Sequence, residues 1–272
     1  MERITVFYKK LSRGLRMSSM AAMVTPLECL HIMSWNILAH EFTGFEAKNH
    51  LNKADGKHSA REHVDQLVQR CERARRTILS RNAAVVLLQE VSFSFLNDAP
   101  HGGLCPPSQS LDELYQRYHV IPAFGDSGNG ANEPGTAVLV RKDIAVVDRL
   151  LVPGGKVSTG GTSKSACAAC IQLPDTRLWC VSIHTTWGGT DDAARMRLHH
   201  LQLLHMALAD HLLPGDAVII GGDFNCSHRD PQLVALASSD CLARLKRVQL
   251  PGHTHTHDDG TPSHAEHARC IT

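Results

Sequence analysis

The sequence has few of the features that mark membrane-spanning or strongly charged proteins. No apolar run among its 272 residues approaches the length of a membrane span. The formal net charge is only +1 at pH 7, so the chain has no global basic field, and any contact with nucleic acid must be local. No polar linker divides it. We therefore expect one large globular domain without a transmembrane helix, because 43% hydrophobic residues suffice for a sizeable core.

The sequence also lacks the cysteine spacing of a disulfide framework. Its nine cysteines are an odd number, scattered through a chain too long to need covalent cross-links. This predicts a reducing compartment and a cytoplasmic location. Cys167 and Cys170 form an isolated C-x-x-C pair, whereas a structural zinc site needs a second pair or matching histidines. Both lie in an apolar stretch, so we predict that they are small buried strand residues.

Residues 1–28 are predicted to be a basic N-terminal extension, and residues 29–272 a single domain. Met1–Met23 contains five lysine or arginine residues and one glutamate, together with three serines. This composition is typical of a mitochondrial transit peptide, so a mitochondrial location is the alternative to a cytoplasmic one. A plain extension, or translation from one of the later methionines, also accounts for the segment.

Two further segments have both an ordinary and a functional interpretation. The apolar residues of Arg61–Ser80 recur at three- and four-residue steps, which predicts an amphipathic helix with a solvated face that carries Arg70, Arg73, Arg75 and Arg76. Contact of these arginines with a polyanionic ligand is the alternative. Pro251–Ala268 has no apolar periodicity, and its alternating histidines favour a solvated loop over a transition-metal site.

Four apolar segments are predicted to be strands, and each leads into a polar side chain. In chain order they are Leu30–Ser34 before Asn36, Ala83–Leu88 before Glu90, Arg177–Ile183 before His184, and Ala217–Ile220 before Asp223 and Asn225. A helix predicted at Asp191–Leu212 separates the last two strands, and this order indicates a layered α/β fold. Because strand ends on one side of a sheet converge, we expect the polar side chains to share one site.

The residue types at these strand ends favour phosphoryl chemistry. Taken singly, each has an ordinary interpretation as a turn residue, a helix cap or a hydrogen-bonded histidine. Together they supply one acid to hold a divalent cation, a second acid to act as a base, and histidine and amide groups to stabilise negative charge. Gly221 and Gly222 precede Asp223 and leave the backbone there open to close approach.

The segments at these strand ends resemble the motifs of the endonuclease/exonuclease/phosphatase (DNase I-like) superfamily. They are SWNILA at Ser34–Ala39, LLQEV at Leu87–Val91, SIH at Ser182–His184 and GGDFN at Gly221–Asn225. Their order and separation resemble most the deadenylase and nocturnin-like branch or the tyrosyl-DNA phosphodiesterase branch. The resemblance implies a four-layer α/β/β/α sandwich of two packed mixed β-sheets.

The resemblance also implies a Mg²⁺-dependent phosphodiester hydrolase, with Mn²⁺ as the alternative ion. Glu90 would hold the metal with Asn36 near it, and Asp223 would activate the attacking water. Asn225 and His184 would bind and position the phosphate. The implied substrate is a nucleic acid, and exonuclease action at an RNA 3′ end is one form of this activity. The further alternative is a phosphomonoesterase or a sphingomyelinase of the same superfamily, which differs from a nuclease only in its loops. The sequence does not indicate an oligomeric state.

The sequence departs from the family pattern near its end. The family closes with an Asp-containing strand and a Ser-Asp-His motif, and neither has a counterpart after Asn225. We therefore expect a C-terminally truncated domain that lacks the last strands of one sheet. The corresponding alternative function is a catalytically impaired member of the family that acts as a phosphate- or metal-binding module.

Overall fold

The computed structural model describes residues 3–4, 30–37, 64–97, 108–126, 132–152, 165–226, 247–248 and 270–271. Its helices are α1 Val64–Arg81, α2 Phe93–Leu96, α3 Gln109–Arg117 and α4 Asp191–Ala209. Its strands are β1 Arg3–Ile4, β2 Ile32–Asn36, β3 Val85–Val91, β4 Tyr118–Asp126, β5 Asn132–Arg141, β6 Val146–Val152, β7 Ala166–Gln172, β8 Arg177–His184, β9 Ala217–Asp223, β10 Arg247–Val248 and β11 Cys270–Ile271. The histidine-rich segment predicted above lies outside the described residues, as does the N-terminal transit segment apart from Arg3–Ile4, which pairs with β2.

Two β-sheets packed face to face form the centre of the domain. Sheet 1 has the strand order β1-β2-β3-β5-β4, and sheet 2 has the order β6-β7-β8-β9. Residues that alternate along the strands fill the space between the sheets, among them Leu87, Val138, Ala169 and Cys180. The opposite face of sheet 1 packs against helices α1 and α3, and that of sheet 2 against α4. The predicted four-layer α/β/β/α sandwich is confirmed.

Each sheet contains one parallel strand pair, and each pair is joined by a crossover helix. In sheet 1, β2 pairs in parallel with β3, and α1 connects them. In sheet 2, β8 pairs in parallel with β9, and α4 connects them. The carboxyl ends of parallel neighbours lie at the same edge of a sheet. The fold therefore presents two pairs of strand ends, one pair from each sheet, and these four ends carry the predicted polar side chains.

The strands β5 and β6 are consecutive in the chain but belong to opposite sheets. Residues 142–145 connect them. The structure pairs β5 with β3 and β4, whereas β6 pairs with β7. The short connection thus carries the chain from sheet 1 to sheet 2.

The predicted cysteine environment is confirmed at Cys167 and Cys170. Both thiols are buried in β7, three positions apart, so they face opposite sides of the sheet. Cys167 packs between the two sheets, and Cys170 packs under α4. Burial raises the pKa of Cys167 to about 12 and that of Cys170 to about 11. Two neutral thiols on opposite faces cannot bind one metal ion.

The predicted solvated face of α1 is wrong for Arg75. This side chain is 3% exposed, and its Nε and Nη2 atoms both donate to the Phe95 carbonyl, at 3.0 and 2.8 Å. Its guanidinium also lies over the Phe95 ring, 5.6 Å from the centroid. Arg73 and Arg76 are exposed, as predicted. The spacing of apolar residues in a helix does not show which of its arginines are buried. An arginine can occupy a position that would otherwise hold an apolar residue, where the helix meets the next layer.

Glu72 of α1 binds the start of α3 and thereby fixes the outer helix layer. Its carboxylate accepts hydrogen bonds from Ser108 Oγ, at 2.8 Å, and from Ser110 Oγ, and it pairs with Arg76 Nε at 2.7 Å. Burial raises the pKa of Glu72, but the hydrogen bonds from Ser110, Arg76 and Ser108 outweigh burial and lower the pKa from 4.5 to about 2. The charged form is therefore the one that the folded protein stabilises.

We expect Glu72→Gln to destabilise the protein at neutral pH but less so in acid. Because the folded-state pKa lies below the unfolded value, the stabilisation is complete above pH 4.5 and is lost as the pH falls towards about 2. The urea midpoints of wild type and variant should thus converge as the pH falls from 4.5 to about 2. Glu113→Gln on α3 is the control. A difference between the two urea midpoints that stays constant with pH would contradict the stabilising role of the Glu72 carboxylate.

None of the helices in the described ranges is long and apolar enough to cross a membrane.

Candidate active site at the junction of the two sheets

Strand β9 approaches its neighbours closely at its last two positions before Asp223, and the second of these positions must be glycine. A Cβ atom at Gly221 would lie 2.6 Å from Leu87 Cδ1 of the facing sheet. A Cβ atom at Gly222 would lie 1.8 Å from the Ile183 carbonyl oxygen of β8, a backbone atom that cannot move aside. The absence of side chains at the two glycines therefore allows sheet 1 and β8, rather than a ligand, to approach the β9 backbone. This close packing brings Asp223 to the junction of the sheets.

The chain turns sharply after Asp223, and the turn orients two site residues. Asn225 adopts a left-handed conformation with φ 48°, which asparagine tolerates better than most residues. Its backbone N–H donates to Asp223 Oδ1 at 3.0 Å. The extended-chain geometry that would place Asp223 and Asn225 on one face does not apply beyond the strand. Phe224 is buried under α4 and anchors the turn.

Glu90 lies in a β-bulge of β3, and the bulge directs its side chain into the site. The register against β5 shifts between Gln89 and Val91, so Glu90 is an extra residue, with φ 54°. Leu88 and Val91 both pack under the helices, although three positions separate them, because Glu90 interrupts the alternation. Such a backbone conformation costs about 1–3 kcal/mol for a non-glycine residue and is concentrated at functional sites.

Asn36 joins the carboxylates of the two sheets. Its Nδ2 atom donates to Glu90 Oε1 at 2.8 Å and to Asp223 Oδ2 at 3.0 Å. Glu90 belongs to sheet 1 and Asp223 to sheet 2, so one amide group spans the interface between the sheets. Because both amide hydrogens are committed, Asn36 would coordinate a cation through its carbonyl oxygen.

His184, at the end of β8, is held by the side chain of Asn225. Asn225 Nδ2 donates to the Thr185 carbonyl at 2.8 Å and lies 3.0 Å from His184 Nε2. A carbonyl can only accept, so the nitrogen of the amide must face Thr185, and its second hydrogen then points at His184. His184 Nε2 is therefore an acceptor in this arrangement, and the proton of the neutral ring lies on Nδ1.

The three ionisable side chains of the site are close enough to share one metal ion. One ligand atom from each of Glu90, His184 and Asp223 lies within 4.8 Å of the other two. His184 Nε2 is 3.7 Å from Glu90 Oε1, and both residues are buried. Two carboxylates at this spacing repel each other, and a divalent cation between them would offset the repulsion. The donor set therefore fits a hard divalent cation, which prefers oxygen ligands.

A buried polar network lies beneath the site, and none of the sequence motifs predicts it. Gln89 Nε2 donates to Ser182 Oγ at 3.1 Å, and Ser182 Oγ donates in turn to the Leu88 carbonyl at 2.7 Å. Gln89 Nε2 also lies 3.5 Å from Ser34 Oγ. Gln89 belongs to sheet 1 and Ser182 to sheet 2. The available signal was a lone polar residue inside each apolar strand, since such residues are buried only with hydrogen-bond partners.

The structure thus brings together all five predicted site residues, at the carboxyl ends of β2, β3, β8 and β9. The model of a family described as the Endonuclease/Exonuclease/phosphatase family matches residues 33–272. The chain belongs to this family. The match includes every site residue, and the resemblance stated from the four sequence motifs is confirmed. The family name covers three kinds of enzyme that hydrolyse phosphoester bonds.

Solved structures share the endonuclease/exonuclease/phosphatase fold with this chain. ANGEL2, a 2′,3′-cyclic phosphatase, superposes with a TM-score of 0.54 at 18% sequence identity, over 89% of this chain and 63% of ANGEL2. A conserved protein of unknown function from Enterococcus faecalis V583 superposes with a TM-score of 0.50 at 16% sequence identity, over 75% of this chain and 71% of that protein. TDP2 from Caenorhabditis elegans has a TM-score of 0.45 at 19% sequence identity, over 74% of this chain.

The chain spans about half the length of Caenorhabditis elegans TDP2, of which 48% is covered. No curated protein matches the sequence of this family member. At these identities the structural likeness concerns the fold.

We expect Gly222→Ala to be severely destabilising. The added methyl group would lie 1.8 Å from the Ile183 carbonyl oxygen, so β8 and β9 could not keep their pairing. A loss of at least about 3 kcal/mol in the free energy of unfolding, measured by urea titration, is the expected result. Gly215→Ala is the matched control.

Gly215 also has a positive φ, of 95°, but a Cβ atom there meets nothing within 4 Å. Gly215→Ala should therefore cost only about 1 kcal/mol. Equal effects of the two substitutions would refute the close approach of β9 to β8.

Proposed function

We propose that this protein is a Mg²⁺-dependent phosphodiester hydrolase that acts on nucleic acid, with Mn²⁺ as a substitute ion. The observation that carries the proposal is the convergence of Glu90, His184 and Asp223 within 4.8 Å at the junction of the two sheets. Membership of a family of phosphoester hydrolases supports the reaction type.

Glu90 and Asn36 would hold the metal. Glu90 presents its carboxylate from the bulge, and Asn36 would add its carbonyl oxygen. When bound, a divalent cation supplies Lewis-acid neutralisation of the phosphate charge. The bulge gives Glu90 a fixed direction before any ligand arrives, so little reorganisation is needed at the moment of binding.

Asp223 would act as the general base. Its two carboxylate oxygens accept hydrogen bonds from different groups, Oδ1 from the Asn225 backbone and Oδ2 from the Asn36 amide. The carboxylate plane is thereby fixed, and a remaining lone pair can accept a proton from water. The water oxygen then forms a bond to phosphorus as the bond to the leaving oxygen breaks.

His184 and Asn225 would bind the scissile phosphate. In the present arrangement the Asn225 amide hydrogens are directed to Thr185 and His184. A phosphate oxygen that entered here would take the place of the Asn225–His184 bond. Asn225 would then donate to the phosphate, and His184, protonated on Nε2, would donate to a second oxygen. The two residues would thus exchange one hydrogen bond for two charge-assisted ones.

A nucleic-acid substrate is favoured among the phosphodiesters. Two of the three activities in the family name are those of nucleases. ANGEL2 acts as a 2′,3′-cyclic phosphatase, and a cyclic phosphate at the end of an RNA chain is itself a phosphodiester. An exonuclease or end-processing activity on RNA is consequently the first activity to assay. Single-stranded RNA, single-stranded DNA and 2′,3′-cyclic ends form the comparison series.

Asp223→Asn should reduce phosphodiester hydrolysis by two to four orders of magnitude, because the amide cannot accept the proton of water. The substitution keeps the size of the side chain, and the Asn36 and Asn225 contacts limit the change in stability. The measurement is kcat on a labelled single-stranded oligonucleotide with Mg²⁺, alongside the urea midpoint of both proteins. Asp175→Asn is the control.

Asp175 is exposed in the turn that precedes β8, at the opposite end of that strand from His184. Asp175→Asn should leave kcat unchanged. Absence of hydrolysis by the wild-type protein in Mg²⁺ and in Mn²⁺, together with retained phosphate or metal binding, would instead identify a binding module. Equal activity in Asp223→Asn and wild type would exclude the proposed general base.

Glu90→Gln should abolish stabilisation by metal. A cation that binds only the folded protein raises its Tm, by roughly 5 °C for a chain of this size when Mg²⁺ is present at about 100 times its Kd. Thermal unfolding in EDTA and in Mg²⁺ measures the difference. Glu113→Gln, in the outer helix layer, should keep the full shift. A Tm that is insensitive to Mg²⁺ and Mn²⁺ in the wild type would contradict the metal site.

A further inference from the structure

The loop between β8 and α4 presents an exposed tryptophan beside the candidate active site. Trp187 is 70% exposed, the largest fraction among the large hydrophobic side chains in the described part of the chain. Burial of a tryptophan is among the largest apolar gains open to a fold, and here the fold forgoes most of it. Trp187 follows the buried His184 by three residues, so their Cα atoms are at most about 11 Å apart.

The backbone on both sides of Trp187 is fixed by one buried cation. Arg197 Nη1, on α4, donates to the Thr186 carbonyl at 3.1 Å and to the Gly188 carbonyl at 2.7 Å. The arginine is only 7% exposed, so these bonds form in a low-dielectric setting where they are strong. The peptide unit that carries the tryptophan is therefore held from both ends.

The two ends of the loop are anchored as well. Thr185 donates its backbone N–H to the Asp223 carbonyl at 2.9 Å and its hydroxyl to the Phe224 carbonyl. Thr190 caps α4, since its side chain accepts a hydrogen bond from the Ala193 backbone at 3.2 Å. The exposed indole thus lies on a loop whose first residue contacts the turn that bears Asp223.

We propose that Trp187 is a stacking platform for a nucleobase adjacent to the scissile phosphate. The inference rests on the proposed phosphodiesterase function and names the part of the substrate that the loop recognises. A rigid loop reduces the entropy that ordering a contact residue would otherwise cost. Stacking on an aromatic ring also tolerates any base, which suits an enzyme that proceeds along a strand.

The charges around the loop favour a base over a phosphate or a membrane surface. Asp191 and Asp192 follow the loop directly and are exposed, and Arg195 offsets only one of them by pairing with Asp192. Acidic neighbours repel both the nucleic-acid backbone and anionic lipid, whereas a neutral base is unaffected. Threonines and glycines flank Trp187, so the loop lacks the broader apolar area on which insertion into a membrane depends.

The test compares two single strands of equal length and charge. One carries bases, and the other is built of abasic tetrahydrofuran residues. Trp187→Ala should raise KM about tenfold on the base-containing strand and leave kcat within a factor of two, the loss expected for one base–aromatic stack. KM on the abasic strand should not change. Trp187→Phe should keep most of the wild-type affinity, because it retains an aromatic face.

Met206→Ala is the matched control, since Met206 is also a large apolar side chain with 67% exposure, on α4. It should behave as wild type on both strands. Binding is measured independently in EDTA, where hydrolysis is blocked, by quenching of tryptophan fluorescence on addition of the base-containing strand. The quenching should fall in Trp187→Phe, although Trp35 and Trp179 remain.

The outcomes separate this inference from the proposed function. Hydrolysis that is equal in wild type and Trp187→Ala on both strands would overturn the stacking platform and leave the proposed function intact. An equal rise in KM on the abasic strand would also overturn it. If the wild type hydrolyses neither strand, the proposed function fails, and quenching in EDTA still decides the role of Trp187. Loss of co-sedimentation with phosphatidylserine vesicles in Trp187→Ala, with unchanged oligonucleotide binding, would assign the loop to a membrane and overturn the inference.

Discussion

The site depends on the close packing of the two sheets, because each sheet supplies only half of it. Asn36 and Glu90 come from sheet 1, and His184 and Asp223 come from sheet 2. Apolar packing alone fixes the relative orientation of two sheets only weakly, because hydrophobic attraction is non-directional. The hydrogen bond between Gln89 and Ser182 adds the missing directionality directly beneath the site. A slip of one sheet against the other would leave these buried polar groups without partners, which costs about 1–3 kcal/mol for each group.

The same packing allows the domain to tolerate an unfavourable arrangement of charge and backbone. Glu90 and Asn225 both have positive φ, and the carboxylates of Glu90 and Asp223 lie close together. In an isolated turn such strain would relax. Here β3 lies between its paired neighbours β2 and β5, and β9 is paired with β8. Both strands are packed on both faces, so relaxation would disrupt the core. The energy of the core thus maintains a polar site that is ready to bind a cation.

The sequence alone predicts the fold class and the strand ends, because buried strands are read from apolar runs that end abruptly at Asn36, Glu90, His184 and Asp223. It does not predict the details that arise from contacts between distant segments. The bulge at Glu90 depends on the register against β5, and no local pattern in LLQEV encodes it. The burial of Arg75 depends in the same way on the Phe95 carbonyl, which follows the next strand. Contacts between distant segments therefore determine such local features, because the local sequence is compatible with more than one conformation.

Helix α4 illustrates how a structural connection acquires a second role. Its apolar residues cover sheet 2, which any right-handed crossover between β8 and β9 would require. A buried arginine is not required for that purpose, and an apolar residue at position 197 would pack at lower desolvation cost. Arg197 instead directs its guanidinium at the two carbonyls that flank Trp187. The fold accepts the cost of burying a cation in order to fix a loop, and it leaves most of the tryptophan on that loop exposed to solvent. The arrangement is accounted for when the indole is used by a bound substrate.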